Sequence, residues 1–92
     1  MKSLHWDKIV IDDEFHITGR GMVLSTNLFK CGIVSENYPT SIPVKSGDTL
    51  LYKGKIYEIL NVEASRKTFS NILSPNIGMV VKLLEVVKEK SE

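Results

Sequence analysis

Apolar and polar residues alternate at two-residue spacing over much of this chain, the pattern of strands that turn one face inward. Phe15 and Ile17 alternate with His16 and Thr18, the beat breaks at Gly19-Arg20-Gly21, and it resumes with Met22, Val23 and Leu24. Glycine reaches positive φ without a Cβ clash, so this stretch predicts two strands meeting at a tight corner with Arg20 held outward. The second strand runs from Met22 to Phe29 and stops at Lys30-Cys31-Gly32, after which Ile33-Val34 could open another short pairing. Further on, Gly47-Asp48 turns into a strand from Thr49 to Tyr52, and Lys53-Gly54-Lys55 turns the chain back into Ile56 to Glu63. There Ile56, Glu58, Leu60 and Val62 alternate with Tyr57, Ile59, Asn61 and Glu63; neither row is purely polar, which suits a strand packed partly on both sides.

The segments between are less regular. Lys8 to Ile11 predicts a short lead-in strand, Asp12-Asp13-Glu14 a solvated acidic turn after it, and Trp6 a cover for one end of a small core. Ser35 to Ser46 is rich in turn residues and holds Pro39 and Pro43, which predicts a long ordered loop, a common place for binding surfaces. Ala64 to Pro75 fits a helical turn or a loop equally well. From Ile77 to Val87 the apolar residues fit a strand, but Met79, Val80, Leu83, Leu84 and Val87 also fit a helix stripe. Residues 85–92 alternate charge heavily and read as a fraying tail.

Three segments carry a resemblance: Phe15-His-Ile-Thr-Gly-Arg-Gly-Met-Val23, then Val44-Lys-Ser-Gly-Asp48, then Asn76-Ile-Gly-Met-Val-Val81. In that order they resemble the second domain of translational GTPases such as elongation factor Tu. The resemblance implies an all-β fold, a small closed or nearly closed antiparallel β-barrel of about six strands. It decides for a strand from Ile77 to about Leu84, and with the chain's length the expectation is a single domain over residues 1–92, with 1–10 as a lead-in and 85–92 as a tail. In that family the barrel contacts its own GTPase domain and helps hold the aminoacyl end of transfer RNA. The P-loop pattern Gly-x4-Gly-Lys-Ser/Thr is absent from this chain, so those contacts do not transfer residue by residue. The loop after the second strand is also longer than the family's usual connection.

Composition narrows the function. At 92 residues, 42% hydrophobic and 25% charged, the chain suits one globular domain. A formal charge of +1 argues against a dominant nucleic-acid or membrane field while leaving a local basic patch open. Cys31 is the only cysteine, which excludes an intrachain disulfide and suits a reducing compartment. No run approaches the ~20 apolar residues of a membrane helix, and the N-terminal residues meet charge before any signal-like apolar stretch, so the expected location is cytoplasmic.

Candidate chemistry is sparse. His16 alternates with Phe15 and Ile17 and so faces solvent, and the spacing of His5, His16 and Cys31 fits no usual zinc site. The expectation is a protein that is not an enzyme and takes no metal, nucleotide or other cofactor. What remains is surface recognition. Arg20, Lys45, Lys53, Lys55, Arg66 and Lys67 all fall in predicted turns or loops, with Tyr38, Tyr52 and Tyr57 available beside them. The leading expectation is a non-catalytic binding module that docks on a protein partner in a translation-linked setting, using Arg20 and the Tyr38 to Lys45 loop. The alternatives are an immunity- or antitoxin-like inhibitor that covers a toxin's active site, and an RNA-binding barrel. The oligomeric state is left open.

Overall fold

The structure, a computed structural model, describes residues 3–36, 39–66 and 72–87. Its strands are β1 (His5–Trp6), β2 (Ile11–Ile17), β3 (Gly21–Asn27), β4 (Thr49–Tyr52), β5 (Lys55–Arg66) and β6 (Leu73–Val86). They form one sheet in the order β1-β4-β5-β6-β3-β2, antiparallel throughout except for the parallel pair β1–β4. The all-β class agrees with the sequence expectation. Closure does not: among the described residues no ladder joins β1 to β2, so the sheet is mixed and open. A two-residue β1 pinned beside β4 offers too little backbone to pair with β2. The sheet curls instead, and its far strands meet through side chains. Tyr52 on β4 donates its hydroxyl to Oε1 of Glu14 on β2 at 3.0 Å, and Lys53 Nζ lies 3.8 Å from the same oxygen.

Inside the curl, opposed residues of adjacent strands fill the core. Leu24 lies opposite Met79, Thr26 opposite Ile77 and Ile59 opposite Val81, all buried. Ile9, Leu28, Val44, Leu50 and Tyr57 complete the cluster, each large apolar side chain contributing at most about 1.5–3 kcal/mol. A bulge between Ile59 and Asn61 explains the mixed rows of β5: it turns Leu60 out to solvent and brings Val62 and Ala64 against the core.

Several local expectations are corrected. The acidic triplet is no turn but part of β2, where Asp13 pairs with Ser25 and Glu14 with Leu24 after a bulge at Ile11 and Asp13. Charge is well placed there because β2 is an edge strand. The strand expected to reach Phe29 ends at Asn27, whose side-chain oxygen accepts the Lys30 N–H at 2.9 Å and closes the turn. Ile33 and Val34 open no pairing; both of their N–H groups donate to the Leu28 carbonyl. The undecided stretch from Ala64 to Pro75 is strand at both ends, with residues 67–71 outside the described residues. Glu85 and Val86, expected in the tail, belong to β6, and Val87 donates to the Gly54 carbonyl at 2.8 Å.

Residues 30–36 and 39–48 wrap over one end of the core. Val44 and Pro39 are buried, and Leu73 donates its N–H to the Pro39 carbonyl at 2.8 Å. Buried Asp48 ties this loop to the N-terminal segment. Its Oδ1 accepts the Leu4 N–H at 3.0 Å, and its Oδ2 accepts Trp6 Nε1–H at 2.9 Å and the Lys45 N–H at 3.0 Å. Burial pushes the carboxyl up, but these hydrogen bonds and the Lys45 charge outweigh it and hold the group below its ordinary value. Trp6, half-buried against the core, fills the covering role expected of it.

Candidate docking face

The glycine corner forms as expected. Gly19 and Gly21 have φ of 85° and 92°, and the Arg20 N–H donates to the Ile17 carbonyl at 3.0 Å. Its two strands, however, turn their faces the other way. Phe15 and Ile17 lie on the outer face of the sheet, 48% and 42% exposed. His16 lies on the inner side opposite Met22, yet stays open to solvent because β2 is the edge where the core ends.

The outer face is built in rows across four strands. Phe15, Val23, Val80 and Asn61 form one row, and Asp13, Ser25, Gly78 and Glu63 the next, followed by Asn27 opposite Asn76. Gly78 contributes no side chain, which leaves a shallow depression of roughly 400 Å³ between Phe15, Val23, Ser25, Glu63 and Asn76. A Cβ on Gly78 would meet Val23 Cγ1 at 3.7 Å, an ordinary contact. The glycine is therefore not required by packing against the adjacent strand, and its effect is to keep the depression open.

Around this hollow the polar groups satisfy one another. The Arg20 guanidinium donates to Glu63, Asn61 Nδ2 donates to the same carboxylate at 3.3 Å, and Asn27 Nδ2 donates to Asn76 Oδ1 at 2.9 Å. The Arg20 and Glu63 charges thus cancel, leaving an apolar floor and wall edged by amides and hydroxyls. That arrangement can seat an apolar side chain and offer hydrogen bonds beside it, but it supplies no activated nucleophile. The one histidine–carboxylate pair among the described residues, His16 Nε2 to Glu14 Oε2 at 3.0 Å, is on the open edge of β2. That hydrogen bond, then the one from Tyr52 and the nearby Lys53, lower the Glu14 carboxyl below its ordinary value. Among the described residues, no group of three or more His, Cys, Asp or Glu side chains could hold a metal ion.

The expected basic residues that the structure describes do not converge. Arg20 is bound to Glu63 at the rim of the depression. Lys53, at the β4–β5 turn with φ of 52°, pairs with Glu14 and stacks 5.2 Å from the Tyr52 ring centroid. Lys55 and Arg66 stand at opposite ends of β5, roughly 35 Å apart by strand rise. Lys45 is exposed on the turn before Asp48. Tyr38 and Lys67 lie outside the described residues, while Tyr52 and Tyr57 pack together with ring centroids 6.3 Å apart. Sequence reasoning missed Phe15, Glu63, Gly78 and Asn76 as one surface. The available signal was Gly78 itself, a lone glycine inside an apolar strand, which marks a place of close approach. Compared with protein-family models, with curated proteins and with solved structures, the chain matches none.

Proposed function

We propose that this chain is a non-catalytic docking module that binds a protein partner through the outer face of β2, β3, β6 and β5. The observation that carries the reading is the depression over Gly78, with its apolar floor, exposed Phe15 wall, amide rim and self-neutralised Arg20–Glu63 pair. A protein that presents one apolar side chain flanked by backbone amides fits such a surface. A nucleic-acid backbone would call for several unpaired cations at this place, and the cations are dispersed instead. The same reading takes the curled sheet as a nearly closed form of the translation-factor barrel, its gap bridged by Glu14, Tyr52 and Lys53. It sets the partner in cytoplasmic translation, as the resemblance of the three sequence segments suggests.

The test is capture of a partner by crosslinking, with the wild-type chain and Gly78→Val and Phe15→Ala variants run side by side. Gly78 has no positive φ and has room for a Cβ, so the valine fills the hollow at little cost to folding. A stoichiometric protein that survives nuclease and is lost with both variants supports the reading; a toxin in that band would mark the module as an inhibitor. Retention of the partner by both variants refutes the face, and loss on nuclease treatment alone refutes the protein partner in favour of RNA.

A further inference from the structure

β6 outruns its neighbour. The β3–β6 ladder ends where Met22 pairs with Val81, but β6 continues from Lys82 to Val86. On its other side this segment stays paired with β5, Lys82 opposite Glu58 and Val86 opposite Lys55. Among the described residues no strand lies on the β3 side of Lys82–Val86, which leaves a step in the sheet. At that step Leu83, Leu84 and Val86 are 51%, 50% and 55% exposed. An unpaired strand edge bearing apolar side chains is a template for pairing with another strand. The sheet's two terminal strands are protected against this. β2 carries three consecutive acids and a bulge, and β1 has only two residues.

We propose that this step is the interface for a second copy of this chain, joined antiparallel about a two-fold axis through the Leu83–Leu84 peptide. In that register Lys82 of each copy lies opposite Glu85 of the other, and Leu83 lies opposite Leu84. A two-fold sheet extension requires cross-strand partners to share a face, and residues three apart ordinarily do not. Here they do. Lys82 pairs with Glu58 and Glu85 with Ile56, residues two apart on β5 and therefore on one face. The bulge at Ile56 and Tyr57 supplies the extra residue on β6 that brings Lys82 and Glu85 to the same side. The segment's two charges are thus complementary to themselves under two-fold symmetry, with Lys82, whose Nζ lies 3.8 Å from Glu58 Oε1 in its own chain, placed between that carboxylate and Glu85 of the second copy. The step is also self-complementary in shape, since each copy's β6 end occupies the place that the other's short β3 leaves vacant. So short a ladder gives a weak dimer, with a dissociation constant of about 10–100 µM. The proposal concerns the sheet edge and is independent of the outer-face docking site.

Sedimentation equilibrium of the full chain from about 5 µM to 1 mM tests it, alongside Glu85→Lys and the charge swap Lys82→Glu with Glu85→Lys and Glu58→Lys, which also reverses the intrachain Lys82–Glu58 pair. The expected result is a monomer–dimer equilibrium that Glu85→Lys weakens at least ~10-fold and the swap restores to within ~3-fold. Circular dichroism confirms the fold of each variant. Amide exchange at high and low concentration gives a second readout, with added protection expected at Lys82–Val86. A monomer over the whole range overturns the proposal. So does a dimer indifferent to Glu85→Lys, or protection that appears elsewhere and not at this segment.

Discussion

Replacing Asp48 with asparagine tests the junction on which the N-terminal segment depends. The substitution keeps the shape but leaves one acceptor oxygen. With that oxygen in the Oδ2 place, Trp6 Nε1–H and the Lys45 N–H keep a neutral acceptor and the new amide faces the Leu4 N–H. One hydrogen bond to a charged acceptor is lost, with a net value of about 1.5–3 kcal/mol, and the other two weaken to neutral ones. Trp6 is half-buried and Lys45 exposed, so water recovers part of that. The expected loss is about 2–3 kcal/mol, or roughly 10–20 °C in Tm for a domain of this size. Urea unfolding followed by fluorescence reads the effect directly, because Trp6 is the only tryptophan. Far-UV circular dichroism follows the sheet in parallel. The wild-type advantage should also depend on pH. The Asp48 carboxyl lies below its reference value of 3.8 in the folded chain, so its contribution is fully present above the unfolded value. It is lost as pH falls through the folded one. A variant within ~0.5 kcal/mol of wild type at pH 7, or an unchanged gap between the two in acid, would refute this account.

Gly21→Ala should cost about 1–2 kcal/mol, since φ of 92° is strained for an L side chain even though its Cβ would have open space; Gly78→Ala, read by the same thermal melt, should be nearly neutral. Glu14→Gln should loosen the side-chain bridge between β2 and β4, seen as faster amide exchange along β2 with β6 unaffected. In the wild type the same loosening should appear in acid, because the Glu14 carboxyl is held below its reference value of 4.5 and its contacts are lost as pH falls through that lowered value.

The alternating pattern was enough to place strands around the glycine corner and the β4–β5 turn, because backbone conformation and two-residue periodicity are local properties. By contrast, β6 also fitted a helix stripe, and only the family resemblance decided for a strand there. Gly19 and Gly21 announce positive φ, and the Lys53-Gly54 turn falls where the alternation breaks. Which face of a strand turns inward is not local. Phe15 and Ile17 look like core residues until β2 takes the edge position, where the core ends and His16 holds the inward side without burial. Bulges blur the pattern further, by exposing Leu60 on β5 and by aligning Lys82 with Glu85 on β6. The candidate face combines Arg20 and Phe15 with Glu63 and Gly78, residues brought together only by the order in which strands pair. Pairing order depends on long-range burial and on loop segments such as residues 39–48, whose Val44 and Pro39 close the core. The glycine corner, β4 and most of β5 were therefore legible in the chain alone, while the bounds of β2 and β6, the open edge, the step at β6 and the hollow over Gly78 arise from how those strands assemble.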